Sequence, residues 1–203
     1  DAKIHYVGST FGLEAKVFPV KDVWHTLLPI RGFQRGISIS SFSKNLLLPF
    51  RIIRSLAKTS KILNEFIPQV VIGTGGYASA LPLYVASKKK NKFPIILQEQ
   101  NSFPGITTRL FSDKAKRICV AFNNSKKEND KKTVLTGNPV RKGIENGNRN
   151  RALKNFRFKE NKKIIFLFGG SQGSAYLNKM INKIVLNISN AGIQVIWQTG
   201  ELE

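Results

Sequence analysis

Short apolar, β-branched runs alternate along this chain with helical stretches, and four junctions carry glycine- or amide-rich segments. These are Gly73-Thr74-Gly75-Gly76-Tyr77, Gln98-Glu99-Gln100-Asn101, Gly137-Asn138-Pro139-Val140-Arg141 and Gly169-Gly170-Ser171-Gln172-Gly173. Repeated strand–helix alternation argues for βαβ units and a parallel sheet. In an α/β protein, ligands collect at the carboxyl edge of that sheet. Glycines there let backbone N–H groups approach a phosphate, and the following helix aims its partial positive end at the same point. Four such loops, one ending in an arginine, point to a large diphosphate ligand.

The pattern predicts strands at Ile4–Gly8, Val23–Leu28, Gln69–Ile72, Pro94–Leu97, Ile118–Ala121 and Thr133–Leu135. A second series opens at Lys163–Phe168 and continues at Gln194–Gln198. Helices are expected near Pro49–Phe66, Tyr77–Lys90, Ile106–Lys114, Arg149–Asn155 and Ala175–Asn190, with Pro68 and Gly192 as stops. The stretch from Lys142 to Lys162, rich in Asn, Gly and basic residues, reads as a linker. The expected layout is α/β: a Rossmann-like domain over 1–141, the linker over 142–162, and the beginning of a second such domain over 163–203.

At 203 residues with 41% apolar content, the chain can bury a proper core. Its single cysteine, Cys119, excludes an intrachain disulfide and lies in an apolar run that reads as core. No signal peptide is visible, and no apolar run is long enough to cross a bilayer. The chain opens at Asp1 on a strand-like run and closes just after another, so both ends look cut and the sequence reads as a fragment. Net charge of +21 implies attraction to something anionic: nucleic acid, an acidic membrane or a phosphorylated substrate. The lysine runs are scattered, as on an ordinary solvated surface.

The helix near residue 50 has two readings. At roughly 100° per residue, Leu48, Ile52, Leu56, Leu63 and Phe66 share a face that should pack on the sheet. Arg51, Arg54, Lys58 and Lys61 form a cationic stripe beside it, while Leu46, Phe50 and Ile53 fall outside. Those three apolar residues either rest on an anionic membrane or lie under another loop.

Gly73-Thr74-Gly75-Gly76-Tyr77-Ala78 fits the G-x-G-x-x-A dinucleotide fingerprint, and Glu99 follows near the spacing of a ribose-binding acid. An NAD enzyme is therefore one competing reading. It leaves Asn101, Arg141 and the Gly169–Gly173 loop without work. The Gly169–Gly173 loop lacks the Lys-Ser or Lys-Thr of a Walker loop, which disfavours nucleotide triphosphate hydrolysis. A basic nucleic-acid-binding α/β domain is the other competitor, but the phenylalanines mostly occupy apolar runs instead of interleaving with basic residues. His5 and His25 have no partners at metal-ligand spacing.

Taken in order, Gly73–Tyr77, then Glu99-Gln100-Asn101 with Pro104, Gly105 and Arg109, then Thr136–Arg141, then Gly169–Gly173 with Leu177-Asn178, resemble the MurG family. These are the N-acetylglucosaminyltransferases that act on lipid I in bacterial cell-wall synthesis. The resemblance implies a GT-B glycosyltransferase that needs no metal or cofactor. It would move N-acetylglucosamine from UDP to the C4 hydroxyl of undecaprenyl-pyrophosphoryl-N-acetylmuramyl-pentapeptide, inverting the anomeric centre. It further implies donor contacts from Asn101, Arg141 and Ser171, and an acceptor-side diphosphate loop at Gly75, Gly76 and Tyr77. Glu99, Gln100 and Asn178 would shape the cleft. The family's proposed histidine base would lie before residue 1, and Gln98 stands where many members have histidine. Members rest on the inner face of the plasma membrane, which favours membrane contact by Leu46, Phe50 and Ile53 with Arg51 and Arg54, and implies no nucleic-acid partner.

Overall fold

The computed structural model describes residues 2–31, 46–88, 93–123, 131–170 and 173–200. Every strand pairing among them is parallel, as the alternation of strands and helices requires. The chain divides into two compact units, Asp1–Pro139 and Val140–Glu203.

In the first unit, β1 (Tyr6–Ser9) pairs with β2 (His25–Leu28) in a two-stranded sheet, with Tyr6 opposite His25 and Ser9 opposite Leu28. Helix α1 (Glu14–Val20) makes the crossover. No helix is expected there from the residue pattern. None of its residues is fully buried and Pro19 lies inside it, so it has no apolar stripe of the usual width to read.

After α2 (Leu48–Phe66), a four-stranded sheet runs in chain order: β3 (Val71–Gly73), β4 (Ile95–Glu99), β5 (Arg117–Val120) and β6 (Thr133–Leu135). Helix α3 (Gly76–Lys88) joins β3 to β4. Helix α4 (Ile106–Phe111), continued by a 3₁₀ turn over Ser112–Lys114, joins β4 to β5. Leu63, Val71, Leu83, Ile95, Leu97, Phe111, Ile118 and Val120 form the core between helices and sheet. Strand β4 alternates strictly, with Ile95, Leu97 and Glu99 on the buried face. The carboxylate of Glu99 is therefore delivered to the interior by the same period that buries its apolar neighbours. Cys119, on the opposite face of β5, is half-buried, not core.

Helix α2 turns inward a face that includes the expected Leu63 but is rotated toward Ser55 and Thr59. Ser55, Thr59, Ile62 and Leu63 are its buried residues, and Leu48, Ile52, Leu56 and Phe66 flank them half-buried. Small side chains at Ser55 and Thr59 let α2 pack closely on α3, and Thr59 Oγ1 satisfies itself on the Ser55 carbonyl at 2.7 Å. The helix ends at Ile67, whose left-handed φ of 46° precedes Pro68. At the amino end of the β1–β2 sheet, His5 packs against Trp24 and Phe66 and meets Thr26 Oγ1 at 2.9 Å. Burial, and then the neighbouring His25, hold its pKa below the ordinary value.

In the second unit, β7 (Ile164–Phe168) pairs with β8 (Gln194–Gln198). Helix α5 (Arg149–Phe156) precedes them, inside the stretch expected to link the two domains. Its start is set by Asn148, whose side chain accepts from the Arg151 amide at 2.8 Å. The single helix expected over 175–190 is two: α6 (Ala175–Asn182) and α7 (Val185–Asn190). The break falls at Ile184, whose φ of −121° and ψ of −8° leave the helical region. Gly192, at φ 76°, follows α7 in the left-handed conformation typical of a helix stop.

Candidate functional site

Two of the four loop segments and the start of a third, Gly137–Pro139, belong to the first unit, and they meet at the carboxyl ends of its strands. Gly73 ends β3 against α3. A β-carbon there would come within 2.6 Å of the Leu83 side chain, so only glycine allows this helix–strand approach. Gly75 and Gly76 take φ of 88° and 74°, which turns the chain sharply from β3 into α3. The turn is tied down by Ser79 Oγ, which donates to the Gly75 carbonyl at 2.6 Å, and by Thr107 Oγ1, which donates to the Gly76 carbonyl at 3.0 Å. Tyr77 stands exposed beside it. Nothing lies within 4 Å of where a Gly76 side chain would begin, so this turn faces open space.

Glu99 organises the loop after β4. Its Oε1 accepts from the Asn101 backbone amide at 3.0 Å and from Asn101 Nδ2 at 2.9 Å. Its Oε2 accepts from the Gly105 amide at 2.8 Å and from Thr108 Oγ1 at 2.6 Å. Burial pushes the Glu99 pKa up, but the bonds from Thr108, Gly105 and Asn101 outweigh it and hold the carboxyl below its ordinary value. Four donors fill the roughly four lone-pair sites of a carboxylate, so Glu99 has no acceptor left for a ribose, against the NAD reading. Its work is to fix Asn101, which stays exposed, and the start of α4.

Gln100 and Gln98 join this loop to its neighbours. Gln100 Oε1 lies 3.8 Å from the position of a Gly75 β-carbon, and the Gln100 carbonyl accepts from Asn138 Nδ2 at 3.3 Å. Gln98 Nε2 donates to the Gly137 carbonyl at 3.3 Å. Gln98, which stands where many members of the family have histidine, is thus a tie between two strand-end loops. Gly75, Gln100 and Asn138 are brought together.

A cavity of about 360 Å³ opens at this edge, lined by Ser9, Phe11, Arg31, Gly75, Gly76 and Tyr77 among others. Sequence reading missed Ser9, Phe11 and Arg31. The signal was present in Gly8-Ser9-Thr10-Phe11-Gly12, a glycine-flanked segment at the end of β1 like those at the later strands. Ser9 Oγ donates to the Ile30 carbonyl at 2.6 Å, which joins the ends of β1 and β2. A second cavity, about 400 Å³, lies in the other unit between α5 and the β7–β8 sheet. Leu153, Phe156, Ile164 and Ile196 make it mostly apolar, away from every predicted site residue.

In the second unit, Arg141 is exposed and begins a turn in which its carbonyl accepts from the Ile144 amide at 3.2 Å. Ser171 lies outside the described residues. Asn178 is buried on α6, donates to the Thr199 carbonyl at 2.9 Å and accepts from Trp197 Nε1 at 3.0 Å. Its amide clamps α6 to the end of β8. Gly173, at φ 76°, supports the same junction, since a β-carbon there would strike the Thr199 carbonyl oxygen.

Leu46, just before α2, and Phe50 and Ile53 on it are exposed by 71%, 65% and 67%, with Arg54 beside them in solvent. Arg51 turns the other way. It shares the inward stripe with Ser55 and Thr59, and its guanidinium carbon lies 5.1 Å from the centre of the Phe11 ring.

Residues 1–120 match the model of the glycosyltransferase family 28 N-terminal domain. A relative in Flavobacterium psychrophilum is 40% identical over 205 residues, covering 100% of this chain and 54% of its own. Another, in Finegoldia magna, is 41% identical over 207 residues with the same coverages. Both are named UDP-N-acetylglucosamine–N-acetylmuramyl-(pentapeptide) pyrophosphoryl-undecaprenol N-acetylglucosamine transferase. The chain spans about half the length of these relatives. Among solved structures, MurG of Acinetobacter baumannii superposes with a TM-score of 0.61 at 19% identity, over 96% of this chain and 49% of that one. A glycosyltransferase of Rickettsia africae gives 0.55 at 13% identity, over 96% and 60%. These likenesses are of fold, and they place the α/β units in the GT-B class.

Proposed function

The chain belongs to glycosyltransferase family 28 through the domain that spans its first 120 residues, and on that premise we propose a role in making lipid II. The reaction is inverting transfer of N-acetylglucosamine from UDP-N-acetylglucosamine to the C4 hydroxyl of lipid I, undecaprenyl-pyrophosphoryl-N-acetylmuramyl-pentapeptide. The observation that carries this reading is the meeting of the Gly75–Tyr77 turn, the Glu99-held Asn101 and the Gly137–Asn138 loop at one sheet edge.

Inverting transfer needs an acceptor hydroxyl aligned with the anomeric carbon, a base for its proton, and positive charge for the departing UDP. The open turn at Gly75, Gly76 and Tyr77 serves the acceptor diphosphate. Asn101, Arg141 and Ser171 serve the donor, with Arg141 able to grip a phosphate bidentately. No side chain of this chain is assigned as the base.

The acceptor is a lipid, and the exposed Leu46, Phe50 and Ile53 beside Arg54 suit a surface resting on anionic headgroups. No helix among the described residues is long and apolar enough to cross a membrane. The proposed location is therefore peripheral, on the cytoplasmic face of the plasma membrane.

Calorimetric titration with UDP-N-acetylglucosamine tests the donor half. Arg141→Ala should weaken binding by about tenfold or more, as expected for loss of a charge-assisted pair. Equal affinity in wild type and in folded Asn101→Ala and Arg141→Ala variants would refute the donor assignment.

A further inference from the structure

We propose that Arg31 and Arg51 are the cationic pair that holds a diphosphate at the cavity between the ends of β1 and β3. The inference deepens the acceptor-side reading above and rests on it for the identity of the natural ligand. It adds two residues to which neither the motifs nor the family likeness assigns this role.

The two guanidinium groups share one aromatic ring. The Arg31 carbon lies 4.5 Å from the centre of Phe11, and the Arg51 carbon 5.1 Å from the same point. Both therefore sit within about a Debye length of each other at 0.1 M salt, where two like charges repel. Arg31 and Phe11 line the cavity together with Gly75 and Gly76. Arg51 is not itself a lining residue; it comes from the inward stripe of α2, near the helix start and one turn before buried Ser55, and adjoins the cavity through the Phe11 ring.

Neither arginine is paired with a carboxylate among the described residues, where the ion pair found is Lys61 with Glu65. Arg51 Nη1 is buried with no hydrogen-bond partner. A buried guanidinium nitrogen without an acceptor, close to a second guanidinium, is costly. An anion with several oxygens relieves both costs at once. The forked donors of arginine suit the oxygens of a diphosphate, and the Phe11 ring holds the two forks by cation–π attraction before ligand arrives. Glu14 lines the same cavity and works against an anion. With Arg31 and Arg51 against Glu14, the balance still favours negative charge.

Inorganic pyrophosphate, a short-chain polyprenyl diphosphate and UDP would be titrated into the full chain at low and high salt. Wild type should bind both of the first two. Arg31→Gln and Arg51→Gln should each weaken them by about tenfold or more while leaving UDP affinity unchanged. Glu14→Gln should tighten them. Arg51→Lys, which keeps the charge but loses the fork, should fall between wild type and Arg51→Gln, and melting curves establish that each variant is folded. Failure of wild type to bind either diphosphate, or unchanged binding in the folded Gln variants, overturns the proposal. Arginine-dependent pyrophosphate binding with no gain from the prenyl chain would uphold the pair as a diphosphate site and count against the lipid acceptor.

Discussion

Thr108 donates its hydroxyl to Glu99 Oε2 at 2.6 Å, and this bond joins the second of the four loop segments to the helix that follows it. Asn101 and Gly105 complete the grip on the same carboxylate. The exposed amide proposed to meet the donor is therefore positioned from beneath by a buried charge.

Glu99→Ala should destabilise the chain by roughly 2–4 kcal/mol, because it leaves several buried or half-buried donors unpaired at once. Denaturant midpoints measure this. Glu99→Gln should also lose, since its amide nitrogen faces donors.

The pH dependence follows from the depressed pKa of Glu99. The unfolded chain takes up the proton first as pH falls, so the contribution of Glu99 is fully present above its unfolded pKa. It is lost as pH drops through the lower folded value. Stability measured from neutral pH down into the acid range should fall less steeply in Glu99→Gln than in wild type. Parallel slopes would contradict the assignment.

Gly173→Ala and Gly170→Ala form a matched pair. Both residues have positive φ, 76° and 81°, but only at Gly173 would a side chain strike backbone, the Thr199 carbonyl. The Gly170 variant should lose about 1 kcal/mol from strain alone. The Gly173 variant should lose roughly 2–4 kcal/mol, with melting temperature as the readout.

Asn178→Ala should release Trp197 and the end of β8, at a cost of about 1–3 kcal/mol. In a Trp24→Phe background, indole emission then reports Trp197 alone and should shift to the red. An unchanged spectrum would mean that the amide does not hold the ring.

Phe50→Asp with Ile53→Asp should leave stability nearly unchanged, since both side chains are exposed, and should weaken binding to anionic vesicles. Co-sedimentation measures the difference. Equal binding would remove α2 from the membrane-facing surface.

The strands and their loops were legible because β-branched runs ended in glycines, and β3 and β6 show the pattern plainly. The inward face of α2 was not. Hydropathy weights leucine, whereas the most fully buried residues of α2 are Ser55 and Thr59, whose smallness matters more than their polarity. Helix α1 was missed because it buries nothing fully. The donor and turn residues Asn101, Gly75 and Gly76 could be named from motifs alone. Arg31 and Arg51 could not, since their relation exists only through Phe11, which is distant from Arg51 in sequence.

Among the described residues, β3 and β6 each pair on one side only, and Ile72 in β3 leaves 59% of its surface in water. Outer strands of this kind template cross-chain ladders between neighbouring molecules. The net charge of +21 keeps copies apart by mutual repulsion, but salt screens that protection. Concentrated stocks should therefore stay clear in dilute buffer and turn cloudy as ionic strength rises, the reverse of the ordinary salting-in of a weakly charged domain.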